Sequence, residues 1–338
     1  MARHARPGSR RITTMTNSSA TNTTDTNPGD TNPGETKPGE TAPSIELVNR
    51  AGLSAVALET TLLLHGVPRA DALALCEELA SIVSAQGARP AYVGVFQGRP
   101  TVGLNAQELS ELLRTSDVLK ANTANLGVLM HRKSHAATTV STTMELASRA
   151  GVRVFATGGL GGVHRGYAQH PDISVDLAAF TRFPIAVVAS GVKSILDVVA
   201  TREALETLGV PVIGFRTDRF PAFYRRETDA GAACGVDARF DDAAELARFV
   251  RTELARTARG VLIVNPIPEE AELSGPDWNR WLSEASKRAE AAGVTGRGVT
   301  PFILGALHEV SDRATLRANI ALIRSNCELA GRIARAMR

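Results

Sequence analysis

The sequence predicts a three-layer α/β/α fold, and three observations carry that reading. Strand and helix signals alternate from Ile45 onward. The strand candidates are short apolar runs bounded by glycine or polar residues, the pattern of strands buried on both faces. The last third of the chain is mostly helical in periodicity. With 338 residues, 43% hydrophobic and 22% charged, the chain can bury one sizeable core.

Residues 1–45 stand apart. Thr26-Asn-Pro-Gly-Asp30, Thr31-Asn-Pro-Gly-Glu35 and Thr36-Lys-Pro-Gly-Glu40 repeat a pentapeptide with no apolar side chain. Such a segment cannot bury enough surface to offset its ordering entropy, so a disordered low-complexity tail is expected. Arg3, Arg6, Arg10 and Arg11 give a faint transit-peptide signal, and Met15 offers a second start. The reading adopted is a dispensable tail followed by a single α/β domain over 46–338.

Within that domain, 56–58 and 91–96 read as strands around a helix from Arg69 to Gln86, whose end Gly87 marks. Asn105 with Glu108 matches a capping box at a helix start. Strands are expected at 152–156, 185–189, 210–213 and 261–264, and helices at 278–292, 301–311 and 313–336. Thr300 as N-cap with Pro301 at the first helical position would open one of these.

Three segments carry candidate chemistry. Thr157-Gly-Gly-Leu-Gly-Gly-Val-His-Arg-Gly166 places five glycines, His164 and Arg165 in ten residues after a strand, and Asp172 and Asp176 follow. Uncovered amides and cations suit a phosphate, and paired aspartates suit a hard divalent metal or proton transfer. The bland alternative is a tightly packed connection. Lys193 follows the strand 185–189, with Ser194 read as a helix opening. Strand carboxyl ends are where open α/β sheets bind ligands, and a desolvated lysine there suits a Schiff-base nucleophile. The alternative is a lysine whose stem packs and whose ammonium reaches water. Glu59 interrupts the apolar stretch Val56 to Leu64. Buried, it would stay protonated and serve as a general acid; otherwise the hydroxyls of Thr60 or Thr61 satisfy it.

Seven blocks then occur in order: Glu59-Thr-Thr with His65-Gly66, Ala136 to Val140, Phe155 to Gly166, Asp172-Ile-Ser174, Gly191 to Asp197, Val264 to Glu269, and Thr300-Pro-Phe302. Together they resemble the pseudouridine-5'-phosphate glycosidase family, also called indigoidine synthase A-like, from about residue 46 to 336. The resemblance implies reversible cleavage of a C-glycosidic bond to uracil and ribose 5-phosphate. It implies Lys193 as nucleophile, Glu59 as proton donor and Asp172 as ligand of one manganese ion per subunit, with magnesium as the alternative metal. Lys120, Val140, His164, Ser174, Val175, Asp176 and Asn319 fall on substrate-binding positions. It further implies a mixed central sheet, a homotrimer and a small-molecule substrate.

A lysine suits this chemistry because the leaving atom is carbon. An ordinary glycosidase protonates a leaving oxygen with one of two carboxylates. An iminium at the sugar instead provides an electron sink when the C–C bond breaks. One departure is clear: relatives carry a Ser-Arg-Arg-Asp-Leu-like stretch after the second lysine, whereas this chain reads Lys120-Ala-Asn-Thr-Ala-Asn-Leu126. The alternative activity is therefore a C-glycosynthase that joins ribose 5-phosphate to an aromatic polyketide.

Other classes are disfavoured. The glycine run has no Gly-Lys-Ser/Thr ending, which argues against a nucleotide-dependent kinase. A net charge of +3 and 4% aromatic residues give no basic stripe for nucleic acid. No run of 18 apolar residues exists for a membrane span. Cys76, Cys234 and Cys327 are scattered and without metal spacing, which suits reduced thiols in a cytoplasm.

Overall fold

The computed structural model describes residues 46–169, 171–228, 234–294 and 299–338. The expected disordered tail lies outside the described residues. In the first half, strands and helices run β1 (Val48–Asn49), β2 (Ala55–Glu59), α1 (Thr61–His65), α2 (Arg69–Ala85), β3 (Arg89–Phe96), β4 (Arg99–Val102), α3 (Ala106–Arg114), β5 (Leu119–Ala121), α4 (Leu126–His131), β6 (Ala136–Thr138), α5 (Val140–Arg149) and β7 (Val154–Ala156). There follow α6 (Val175–Phe180), β8 (Ala186–Ala189), α7 (Val198–Thr207), β9 (Val212–Phe215), β10 (Ala238–Phe240), α8 (Ala243–Thr257), β11 (Val261–Val264), α9 (Gly275–Ala291), α10 (Val299–Val310) and α11 (Ala314–Ala336).

The sheet order is β1-β4-β3-β2-β7-β8-β11-β9-β10, with β6 pairing β3 and β5 pairing β6. β3 runs antiparallel to β4 and β6, while the central pairs β2·β7, β7·β8 and β8·β11 are parallel. The sheet is therefore mixed, as the resemblance implies. Alternation along the central strands builds the layers. Val56, Leu58, Val188 and Ile263 join the core beneath α2, α8 and α11, whereas Ala57, Phe155, Val187 and Leu262 join the core beneath α5, α6 and α7.

Several predicted elements stand. Asn105 and Glu108 form the capping box, with Asn105 Oδ1 accepting from the Glu108 amide at 2.9 Å and Glu108 Oε2 from the Asn105 amide at 3.0 Å. Two expectations are corrected. Helix α10 begins at Val299, so Thr300 and Pro301 lie inside its first turn; proline is tolerated there because that turn's amides have no helical acceptor. Ser194 does not open a helix. The next helix starts at Val198, with Asp197 capping the Ala200 amide at 2.9 Å. Ser194 Oγ is instead bonded to the main chain of residues 222–224.

Helix α11 crosses the carboxyl ends of the central strands and brings one buried amide to them. Asn326 Nδ2 donates to the Thr157 carbonyl at 2.8 Å and to Ser190 Oγ at 3.1 Å, and its Oδ1 accepts from Asn265 Nδ2 at 3.0 Å. Thr157, Ser190 and Asn265 each directly follow a central strand, so one side chain ties three strand ends together. Among the described residues no helix is long and apolar enough to cross a membrane.

Asn326→Ala should leave these buried partners short of hydrogen bonds and lower the unfolding free energy by about 3 kcal/mol, measured by urea denaturation. An unchanged denaturation midpoint would show that the three strand ends hold without it.

Candidate active site

A cavity opens at the carboxyl ends of the central strands. Its wall includes Glu59 at the end of β2, Lys120 on β5, Lys193 beyond β8 and Asn319 on α11, with Phe223 and His308 nearby. Four of the sequence candidates are thus brought together from four elements.

Glu59 is buried, and Thr157 Oγ donates to its Oε1. The neighbouring threonines are not its partners. Thr60 Oγ donates to the Val93 carbonyl at 2.8 Å and Thr61 Oγ to the Thr138 carbonyl at 2.7 Å. Burial holds the Glu59 carboxyl above the ordinary value of 4.5; the charge on Lys193 and the Thr157 hydrogen bond oppose that shift, Asp176 adds to it, and Lys120 opposes it. The balance favours a protonated acid. The amine of Lys120 is shifted in the complementary sense: desolvation and then Lys193 hold it below its ordinary range, against the pull of Glu59. Burial also lowers His65 to about 4, with Lys120 as the next cause.

Lys193 is fixed by main-chain contacts on two sides. Its amide donates to the Leu160 carbonyl at 3.1 Å, and the Leu160 amide donates to the Gly191 carbonyl at 3.0 Å. Gly191 has φ +79°, and a Cβ there would lie 1.9 Å from the Pro221 carbonyl oxygen. Only glycine permits that approach. On the far side Ser194 Oγ donates to the Ala222 carbonyl and accepts from the Tyr224 amide.

The glycine run differs from the phosphate cradle expected of it. The amides of Leu160, Gly161, Val163 and His164 are taken by Gly191, Asp176, Thr201 and Asp172 respectively. The run is a ribbon packed between the Lys193 segment and residues 172–176, nearer the bland alternative.

Ser174, Val175 and Asp176 form the cap and first turn of α6. Asp176 is buried, and its two carboxylate oxygens accept from the Ser141 and Gly161 amides, each at 2.9 Å. It clamps the ribbon to the start of α5. Val140 is the first residue of α5 and is buried in the core. His164 and Asp172 lie at the ribbon's outer end, with Nε2 3.7 Å from Oδ2 and the Asp172 side chain 63% exposed. Val140, His164, Asp172 and residues 174–176 do not share the cavity wall with Glu59 and Lys193.

Sequence reasoning missed Thr157, Phe223, His308 and Asn326. Asn326 had a signal: it stands seven residues after Asn319, on the same helical face, where a polar residue interrupts an apolar stripe.

Fold and cavity define an α/β enzyme that sets one buried acid against two lysines. The chain belongs to the indigoidine synthase A-like family, whose model matches residues 45–336. It is similar to proteins named pseudouridine-5'-phosphate glycosidase from Nocardioides sp., at 44% identity over 286 residues covering 85% of this chain and 92% of that relative. The relative of the same name from Symbiobacterium thermophilum is 44% identical over 288 residues, covering 84% and 92%. Among solved structures, an indigoidine synthase A-like protein from Thermotoga maritima aligns with TM-score 0.79 and 34% identity, over 89% of this chain and all of that one (100%). The prealnumycin C-glycosynthase in complex with ribulose 5-phosphate aligns with TM-score 0.76 and 33% identity, over 84% and 91%.

The raised carboxyl of Glu59 has a consequence for stability. The folded state retains this proton above pH 4.5, the ordinary value, while the unfolded chain releases it, so stability falls as pH rises towards the folded value. Glu59→Gln should remove that loss, and its stability relative to the wild type should grow from pH 4.5 towards neutrality. Parallel stability–pH curves for the two proteins would refute the burial argument.

Proposed function

We propose that this chain is a pseudouridine-5'-phosphate glycosidase that works through an imine on Lys193. The observation that carries the reading is Glu59, a buried carboxyl whose neutral form burial favours, in the same cavity as Lys193 and Lys120. The similarity to glycosidases over most of the chain supports the substrate.

In the cleavage direction the Lys193 amine attacks C1 of the sugar; the C1–O bond of the ring breaks, and the nitrogen's proton goes to the released oxygen. The nitrogen lone pair then forms the C=N bond as the C1–C5 bond to uracil breaks. The electron pair left on C5 takes the proton of Glu59. Water hydrolyses the iminium to ribose 5-phosphate and the free amine, and the proton released returns to the Glu59 carboxylate. Lys120 in its neutral form can carry protons between these steps. Thr157 Oγ donates to one carboxyl oxygen of Glu59 and so orients the acid.

Asp172 is the proposed manganese holder, with His164 beside it. Among the described residues no group of three or more His, Cys, Asp or Glu could hold a metal. One exposed carboxylate with an adjacent imidazole fits a hard ion, manganese or magnesium, that keeps several waters; it does not fit a zinc-type cage. When bound, such an ion supplies positive charge for the sugar phosphate. Val140, Ser174, Val175, Asp176 and Asn319 complete the proposed substrate contacts. A cytoplasmic homotrimer with small-molecule partners completes the reading, and the buried free thiols of Cys76, Cys234 and Cys327 suit a reducing compartment.

The uncharged loop after Lys120 closes on itself. Asn122 Oδ1 accepts from the Ala124 and Asn125 amides, and Asn125 Nδ2 donates to the Lys120 carbonyl at 2.9 Å. The likeness to the C-glycosynthase keeps a polyketide aglycone as the second reading.

Incubation with ribose 5-phosphate and borohydride should leave a stable adduct on Lys193, read by peptide mass. Lys193→Ala should form none and lose several orders of magnitude in turnover. Lys193→Arg should fail equally, because a guanidinium stays protonated. A Lys193→Ala enzyme with more than about 1% of wild-type activity would sink the nucleophile assignment.

Exhaustive chelation should cut turnover sharply, with manganese restoring it, and Asp172→Ala should behave like chelated enzyme. Full activity after chelation would remove the metal from the reading.

A further inference from the structure

We propose that Phe223 reads the aglycone: its ring is the surface on which a flat six-membered base lies, while Asn319 Oδ1 takes an N–H at the base's edge. The inference rests on the glycosidase reading above and adds how the base is recognised.

Phe223 has φ +62°, in the left-handed region that bulky side chains rarely adopt. Such strain persists only where surrounding contacts over-determine it, and it concentrates at functional sites. Here the Phe223 amide donates to the Ser190 carbonyl at 2.9 Å, and the Ala222 amide to the Arg225 carbonyl at 2.9 Å. Ala222 also accepts from Ser194 Oγ. The ring packs on Tyr224 at 4.6 Å between centroids, and Tyr224 on Trp278 at 5.4 Å. Main chain and stacked aromatics together aim the ring into the cavity wall it shares with Glu59 and Lys193.

The glycine ribbon makes room for it. A Cβ on Gly159 would come within 2.6 Å of the Phe223 ring. A Cβ on Gly158 would lie 3.3 Å from Asn319 Oδ1 and 3.4 Å from Phe223 Cε2. An aromatic ring and an acceptor therefore converge over one point of bare backbone, with a Leu322 methyl 3.2 Å from the same point. That acceptor is buried with no partner, which is costly unless a ligand supplies a donor. Thr157, the residue before Gly158, is the one bonded to Glu59. The convergence point therefore sits beside the acid.

The chemistry of that pair selects the ligand end. A planar lactam base offers an N–H edge for Asn319 and a π-face for Phe223, whereas a sugar phosphate has no π-face. Ring stacking is tolerant of substituents but not of puckering.

The test is run in the synthesis direction at saturating ribose 5-phosphate. Phe223→Leu should form the borohydride-trapped Lys193 adduct within about twofold of wild type, while KM for uracil rises about tenfold or more. Phe223→Tyr should restore the wild-type KM. In the wild type, thymine should inhibit at least about tenfold more strongly than dihydrothymine, which has the same substituents on a puckered ring. This arm needs no variant, so it decides the matter even if Phe223→Leu does not fold. Unchanged uracil KM in an adduct-forming Phe223→Leu, or equal inhibition by the two thymines, overturns the inference alone. A wild type that forms no adduct with ribose 5-phosphate overturns the glycosidase reading and this inference with it.

Discussion

One buried amide sets the geometry on which the cavity depends. Parallel strands end with carbonyl and amide groups that no further strand partner can satisfy, and here three such ends lie beneath α11 rather than in water. Asn326 takes the carbonyl at the Thr157 end and links it to the side chains of Ser190 and Asn265, which stand at the other two ends. From these points the site is placed outward. Thr157 holds Glu59, Ser190 holds the Phe223 main chain, and Gly158 to Leu160 run on to the Lys193 segment. A polar knot of this kind is worth more than its separate hydrogen bonds, because each partner would otherwise be buried unpaired.

Around that frame the electrostatics favour neutral forms. Burial raises the Glu59 carboxyl and lowers the Lys120 amine, so an acid that keeps its proton faces an amine inclined to lose one. Full charge separation would place a carboxylate and ammonium groups in a poorly solvated pocket, where attraction only partly offsets desolvation. The cost is stability: a group held neutral against its preference in water weakens the fold as pH rises. Strain at Phe223 and the orphaned Asn319 acceptor are further costs located in the same cavity.

The comparison between sequence and structure turns on which groups are already engaged. The glycine run shows five positions without side chains, and its amides look available for a phosphate. In the fold Gly191, Asp176, Thr201 and Asp172 take four amides of that run. Asp176 looks like a free carboxylate on the page, yet both its oxygens accept main-chain amides. Ser194 resembles a helix cap, but residues 222–224 claim its hydroxyl. Each difference has one cause: a local pattern shows that a donor or acceptor exists, and only distant segments show whether it is taken.

The sequence by itself determined the layer order and the identity of the reacting groups. Strand runs buried on both faces, the capping box at Asn105 and the helical last third follow from local periodicity and local hydrogen bonding, which need no long-range partner. Glu59 and Lys193 were legible because an ionisable residue inside or just after an apolar run is costly without a purpose. Tertiary structure alone decided the rest. It chose Thr157 over Thr60 and Thr61 as the partner of Glu59, 98 residues away in the chain. It brought Asn319 and Phe223 over Gly158, and Asn326 over three strand ends. Those choices depend on where helix α11 and residues 220–225 cross the sheet, and crossing is set by the packing of whole elements rather than by any local run of residues.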